Sequence, residues 1–165
     1  MEEKIIIVAD RSGSMGESAK SSIELNAIRA AKAWCNRQGA QAEVYAWSGT
    51  VEPADGRFAP CSGSAQTDAL EAFLRGLPPR SCILLLSDGA FPDDGAFPDD
   101  EDAVRIREAA AGAYLVPVAV GADYDRRNLR EISGQPEADT GVYGAAEVLD
   151  ALRSLTFGWI AGENG

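Results

Sequence analysis

The stretch KIIIVADRSGSMG, residues 4–16, decides the fold class of this chain. Its first half is a continuous apolar run rich in isoleucine and valine, which is typical of a strand buried on both faces of a parallel sheet. Residues 81–87 and 113–120 have the same character. Alternation of polar and apolar residues over 41–47 predicts a strand nearer an edge. Short strands are also expected within 51–58 and at 141–143.

Helical patterns lie between these strands. Ser21 and Glu24 resemble a capping box and predict a helix that begins there and ends at Gly39. The apolar face expected for this helix consists of Ile23, Ala27, Ala30, Ala31 and Trp34. Further helices are predicted over residues 67–75, 102–111, 125–133 and 145–155. Strands that alternate with helices predict an α/β protein with an open, mostly parallel sheet and helices on both faces.

Composition narrows the classes of function. The chain has 165 residues, 15 basic and 26 acidic side chains and a formal charge of −11, which argues against a nucleic-acid partner. No apolar run approaches the ~20 residues needed to span a membrane, and the first residues do not resemble a signal peptide. Three widely spaced cysteines form no CxxC pair, so the chain is predicted to be cytoplasmic with reduced thiols. Because it contains no histidine, catalysis by Ser-His-Asp or Cys-His groups within the chain is excluded.

Oxygen-bearing side chains follow the apolar runs. Asp10, Ser12 and Ser14 alternate after the first run, Asp88 follows the run at 81–87, and Thr67 begins a predicted helix. Ligands of open α/β sheets bind beyond the carboxyl ends of the strands, so these side chains are expected to meet at one sheet edge. Carboxylates and hydroxyls suit Mg²⁺ or Mn²⁺ better than Zn²⁺ or Cu²⁺. Two simpler interpretations remain open, namely a turn with helix caps and a backbone nest for a phosphate.

These motifs resemble the von Willebrand factor type A (VWA) domain. The residues that carry the resemblance are DRSGSMG at 10–16, Thr67 and LLLSDG at 84–89, and they match the metal-ion-dependent adhesion site (MIDAS) of that family. The resemblance implies a Rossmann-like, six-stranded sheet with one short antiparallel strand, in a single domain over residues 1–158 followed by a tail at 159–165. It also implies Mg²⁺, with Mn²⁺ or Ca²⁺ as alternatives, held by Asp10, Ser12, Ser14, Thr67 and Asp88.

The family resemblance implies a metal-dependent protein-interaction module rather than an enzyme, with no catalytic residues. The bound ion would accept an Asp or Glu carboxylate from a protein partner, and the acidity of this chain predicts basic residues around that carboxylate. By analogy, the chain would serve as an adaptor or subunit of a bacterial ATPase, stress or defence system. The alternative is a metal-dependent phosphohydrolase using Asp10. Such enzymes usually have a second acid where this chain has Ser12, and a lysine near the metal, but no lysine follows Lys32.

A duplicated hexapeptide lies next to the predicted site. The sequence DGAFPDDGAFPDD, residues 88–100, reads as a short tandem duplication in a surface loop. Asp88 is assigned as the ligand rather than Asp94, because only Asp88 leaves the end of a buried strand. The added copy is expected to enlarge an acidic rim around the site, which includes Asp93 and Asp94. It also presents Phe91 and Phe97, each of which either packs inward or contacts a partner.

Overall fold

A computed structural model gives the fold of the chain. It describes residues 4–17, 19–54, 57–90, 101–122, 124–133 and 142–163. The side chains of residue 101 and of residues 156–163 lie outside this description.

Six strands form one sheet in the order β3-β2-β1-β4-β5-β6. Their bounds are β1 Lys4–Asp10, β2 Gln41–Trp47, β3 Val51–Pro53, β4 Cys82–Ser87, β5 Tyr114–Ala119 and β6 Tyr143–Gly144. All neighbouring pairs are parallel except β2 and β3, which are antiparallel. This arrangement confirms the predicted α/β class and the mostly parallel sheet with one short antiparallel strand.

Burial of β1 on both faces explains its continuous apolar sequence. Ile5, Ile7 and Ala9 belong to one hydrophobic cluster, and Ile6 and Val8 belong to the cluster on the opposite face. Because successive side chains of a strand point to opposite faces, each residue of the run is needed in one core or the other. All six residues of β4 are likewise buried.

Within the described part of the chain, five α-helices cover the two faces of the sheet. They are α1 Lys20–Gln38, α2 Thr67–Arg75, α3 Glu101–Ala109, α4 Arg126–Ser133 and α5 Val148–Glu163. Helices α1 and α5 contact each other on one face, whereas α2 contacts α3 and α3 contacts α4 on the other. No helix among the described residues is long and apolar enough to cross a membrane.

The start of α1 differs from the sequence prediction. Its N-cap residue is Ala19, in the left-handed conformation with φ 62°, and no side chain caps the helix. The predicted capping box of Ser21 and Glu24 is therefore wrong, and both residues lie within the helix. Ile23 is 37% exposed, whereas Ile28 is buried, so the apolar face is also rotated from the one predicted. The predicted end at Gly39 is confirmed, because this residue takes the left-handed conformation at the C-cap.

The strand order creates a crevice between β1 and β4. The chain leaves β1 towards α1 on one face of the sheet and leaves β4 towards α3 on the other face. Neighbouring parallel strands whose connections diverge in this way leave a gap beyond their carboxyl ends, where ligands of open α/β proteins bind. Asp10 ends β1 and Asp88 follows β4, so both predicted ligands border this crevice.

Candidate metal centre

Asp10 is fixed rigidly at the end of β1. Its carboxylate is fully buried, and Oδ1 accepts hydrogen bonds from the backbone N–H of Ser12 at 2.9 Å and from the Ser12 hydroxyl at 2.6 Å. The other oxygen, Oδ2, accepts a hydrogen bond from the Ser87 hydroxyl at 2.7 Å. Two donors from the loop after β1 and one from β4 therefore hold the orientation of this carboxylate.

The two serines after β1 converge as the sequence predicts. A 3-10 turn over Gly13–Gly16 follows Ser12 and folds the chain back. As a result the hydroxyl oxygens of Ser12 and Ser14 lie 3.4 Å apart, and the first of them also contacts Asp10. One carboxylate and two hydroxyls thus form a continuous oxygen cluster.

Asp88 is buried at the end of the neighbouring strand. Its Oδ1 accepts a hydrogen bond from the backbone N–H of Ala90 at 3.0 Å, and its Oδ2 is 3.0 Å from the Nζ of Lys20. Gly89 takes φ +77°, and a Cβ there would lie 2.8 Å from the carbonyl oxygen of Asp125. A left-handed residue without a side chain is therefore what lets the backbone turn closely after Asp88.

Thr67 presents a buried hydroxyl at the start of α2. It is the first residue of α2 and is 4% exposed, and its Oγ1 has no hydrogen-bond partner among the described residues. A buried hydroxyl without a partner costs about 1–3 kcal/mol and is uncommon in native proteins. Its hydroxyl oxygen is a ligand type that a hard cation accepts.

Backbone hydrogen bonds dock the loop before Thr67 onto the loop after β1. The N–H of Gly13 donates to the carbonyl of Gly63 at 2.8 Å, and the N–H of Ser62 donates to the carbonyl of Arg11 at 3.0 Å. On the other side, Trp47 Nε1 donates to the carbonyl of Gln66 at 2.9 Å. These contacts attach the segment that ends at Thr67 to the edge of the sheet that carries Asp10.

The electrostatics of the crevice favour a cation. Burial is the main cause of a rise in the pKa of Asp10 to about 6; the charge of Asp88 adds to this rise, and hydrogen bonds from Ser12 and Ser87 oppose it. Asp10 and Asp88 are both buried carboxylates, and Asp88 has a cationic neighbour in Lys20. Among the described residues, no three His, Cys, Asp or Glu side chains form a group that could hold a metal ion. A cation at this site would therefore depend on the hydroxyls as well as the carboxylates.

Sequence reasoning missed three polar residues that build the surroundings of the site. Ser87 orients Asp10, Lys20 pairs with Asp88, and Arg11 extends into a second buried network. Ser87 had a detectable signal, because a hydroxyl at the last position of an otherwise apolar buried strand needs a polar partner. Lys20 carried no such signal, since a lysine at the start of a helix is usually solvated.

The Arg11 network explains why Ser21 and Glu24 do not cap α1. Nη1 of Arg11 donates to the Ser21 hydroxyl at 3.0 Å and to Glu24 Oε1 at 2.9 Å, and Nη2 donates to the carbonyl of Ala59 at 3.2 Å. The guanidinium also lies 4.8 Å from the centre of the Phe58 ring. Burial raises the pKa of Glu24, against the opposing effect of Arg11. This network ties the loop after β1 to α1 and to residues 58–59.

The predicted acidic rim is outside the described part of the chain. Phe91, Asp93, Asp94 and Phe97 all fall within residues 91–100, so their role stays a prediction. The assignment of Asp88 rather than Asp94 as a ligand likewise rests on the buried position of Asp88 beside β4.

Comparison with known proteins identifies the fold. No protein-family model matches the chain, and neither does any curated protein. Solved structures do match. A manganese-loaded TRAP protein from Plasmodium vivax superimposes with a TM-score of 0.65 at 13% identity, covering 93% of this chain and 73% of that one. A von Willebrand factor type A structure from Catenulispora acidiphila superimposes with a TM-score of 0.59 at 22% identity. The match covers 94% of this chain and 42% of that one.

A third match is a mussel byssus protein, proximal thread matrix protein 1, whose MIDAS motif is occupied by zinc. It gives a TM-score of 0.59 at 18% identity and covers 92% of this chain and 45% of that one. This chain thus spans less than half the length of the mussel and Catenulispora chains. At these identities the likeness concerns the fold, and the chain has the VWA fold that its motifs predict.

Proposed function

We propose that this protein is a metal-dependent protein-interaction module, with Mg²⁺ held by Asp10, Ser12, Ser14, Thr67 and Asp88. The observation that carries the proposal is the buried Thr67 hydroxyl, which has no hydrogen-bond partner among the described residues. Thr67 begins α2, and the loop before it is hydrogen-bonded to the loop after β1 that carries Ser12 and Ser14. The bound ion would supply an electrophilic centre for an oxygen ligand from outside. The chain's own residues supply the rest of the site: Ser12 and Ser87 orient Asp10, and the turn after Gly13 presents Ser14.

Two relatives in fold support a divalent ion. The Plasmodium vivax protein is loaded with manganese, and the mussel protein carries zinc at its MIDAS motif. The ligand types of this chain are all oxygens, and they favour the harder ions Mg²⁺ and Mn²⁺ over Zn²⁺. We therefore assign Mg²⁺ as the ion of the cell and use Mn²⁺ as its spectroscopic and crystallographic substitute.

The partner is a protein that offers a single Asp or Glu carboxylate surrounded by basic residues. The formal charge of −11 would repel a uniformly acidic surface, so the bridging carboxylate needs basic neighbours to give complementary fields. We place the protein in the cytoplasm, as an adaptor or subunit of a bacterial multi-protein system of the ATPase, stress or defence type.

Affinity capture tests this function. Tagged protein is incubated with lysate of its native cell in Mg²⁺ or in EDTA, and the captured proteins are identified by mass spectrometry. A specific partner is expected in Mg²⁺ and is lost in EDTA and with Ser12→Ala. The control Ser81→Ala removes a hydroxyl that bonds the Pro78 carbonyl at an exposed site and should retain the partner. Equal capture with and without EDTA would contradict the proposal.

A phosphohydrolase remains the alternative, because the structure adds one feature in its favour. Lys20 places an ammonium group beside Asp88, where the sequence offered no obvious lysine. Two observations argue against a phosphohydrolase. Position 12 is a serine, which donates a hydrogen bond to Asp10, and both oxygens of Asp10 already accept hydrogen bonds. A nucleophilic carboxylate needs one oxygen directed at the substrate, so this geometry favours a binding role.

A further inference from the structure

Lys20 is a buried cation at the edge of the candidate metal centre. It is the first residue of α1, is 2% exposed and lies with its Nζ 3.0 Å from Asp88 Oδ2, which is equally buried. Lysine is almost never fully buried unless it is paired. Removing both charges from water offsets much of their mutual attraction, so stabilisation of the fold alone is a weak explanation for this pair. Its position beside a predicted metal ligand suggests a role in binding instead.

The net charge of the site indicates how Lys20 affects binding. Among the described residues, the charged groups at the site are the carboxylates of Asp10 and Asp88 and the ammonium of Lys20, which pairs with Asp88. These groups together carry one net negative charge, so a bound divalent ion would leave one net positive charge in a buried crevice. A single external carboxylate would cancel that charge. Interactions between charges in a buried site are screened less than in water, so this imbalance has a large effect on affinity.

We propose that Lys20 makes metal binding depend on the partner. By occupying one oxygen of Asp88, the ammonium lowers the affinity of the site for the ion alone and favours the state in which an anionic ligand is also bound. Lys20 is thus a positioning residue that couples the ion to the partner's carboxylate. The inference rests on the proposed function, since it assumes that a divalent ion binds between Asp10 and Asp88.

The test measures Mn²⁺ affinity by calorimetry and by the EPR signal of free Mn²⁺, without and with saturating acetate as the external carboxylate. Lys20→Met removes the ammonium but keeps an unbranched side chain that is only one atom shorter. Without acetate, this variant is expected to bind Mn²⁺ at least about tenfold more tightly than the wild type, because each tenfold step needs only ~1.4 kcal/mol. Acetate is expected to tighten binding to the wild type and to have a smaller effect on the variant.

A matched control is available on the same helix. Lys32→Met removes the same charge from an exposed position 12 residues further along α1, about 18 Å away along the helix axis. Its Mn²⁺ affinity should stay within about twofold of the wild type, since exposed charges beyond about 10 Å are screened. A gain in affinity with Lys32→Met equal to that with Lys20→Met would overturn the local role of Lys20.

Stability separates the possible outcomes. In EDTA, Lys20→Met should unfold at a lower temperature than the wild type, because Asp88 loses its buried partner. Mn²⁺ should raise its melting temperature by more than it raises that of the wild type.

If Lys20→Met and Lys20→Gln fail to fold even in saturating Mn²⁺, the ion does not replace the ammonium and the inference is wrong. Mn²⁺ binding by the wild type with no gain in Lys20→Met overturns the inference alone, whereas no Mn²⁺ binding by either protein, with or without acetate, overturns the proposed function as well.

Discussion

Asp10→Asn is expected to weaken Mn²⁺ binding by about 100-fold or more, which corresponds to ~2.7 kcal/mol. Asparagine has the shape of aspartate and retains an oxygen that accepts the hydrogen bonds from Ser12. In the wild type, Oδ2 of Asp10 accepts a hydrogen bond from the Ser87 hydroxyl. In the variant, an amide NH₂ takes the place of Oδ2 and can donate a hydrogen bond to the Ser87 oxygen. The substitution therefore removes one negative charge from a buried site with little change in geometry. The loss of a charge–charge interaction in such surroundings is large enough to account for the effect.

Stability distinguishes this loss from unfolding. Burial raises the pKa of Asp10 to about 6, which means that the fold disfavours the charged form relative to the unfolded chain. In EDTA at pH 7 and above, the neutral variant should accordingly melt at the same temperature as the wild type or higher. Mn²⁺ at a concentration that just saturates the wild type should raise the melting temperature of the wild type and leave that of the variant nearly unchanged.

Asp150→Asn is the matched control. Asp150 is an exposed aspartate of α5, and its carboxylate pairs with Arg153 of the same helix. This variant loses the same charge and should bind Mn²⁺ like the wild type. Undiminished binding by Asp10→Asn would show that the ion lies elsewhere.

Trp47→Phe is expected to lower the free energy of unfolding by about 2–4 kcal/mol and to weaken Mn²⁺ binding about tenfold. Trp47 is fully buried at the end of β2 and packs in the same cluster as Leu70 of α2. The smaller ring leaves a cavity and removes the donor to the Gln66 carbonyl, which is then left with one bond fewer. Because Gln66 immediately precedes Thr67, the change should loosen the position of the Thr67 hydroxyl.

A second tryptophan separates packing from positioning. Trp34 of α1 is 8% exposed and belongs to the hydrophobic cluster on the opposite face of the sheet. Trp34→Phe should therefore destabilise the protein through lost packing, while Mn²⁺ affinity remains within about twofold of the wild type. Unfolding is measured by urea titration in EDTA and affinity by calorimetry under conditions in which both variants are folded. Equal Mn²⁺ affinity in the two variants would show that Trp47 does not position the site.

The sequence predicted the elements whose environment is uniform. The apolar runs in β1 and β4 exist because both faces of these strands are covered. Such runs indicate a strand buried in a parallel sheet. The bounds of α2, Thr67–Arg75, also match the prediction. The predicted ligand Thr67 is the first residue of this helix. The convergence of Asp10, Ser12 and Ser14 followed from their spacing after a strand.

Tertiary contacts decided the features that the sequence did not predict. Ser21 and Glu24 have the spacing of a capping box, but Arg11 draws both side chains towards itself, and the helix begins at Lys20 without a side-chain cap. The pairing of Lys20 with Asp88 joins residues 68 positions apart, and local sequence carries no record of it. The division of the chain at residue 158 and the acidic rim after Asp88 stay predictions.

Crystals grown with Mn²⁺ would show where the ion binds, because anomalous scattering locates the ion independently of the surrounding atoms. We expect one strong anomalous peak in the crevice beyond β1 and β4, at about 2.0–2.3 Å from the hydroxyl oxygens of Ser12 and Ser14. Asp10, Thr67 and Asp88 should contact the ion directly or through one water. A peak elsewhere on the protein, or no peak while calorimetry shows saturation, would contradict the assignment of this crevice as the metal centre.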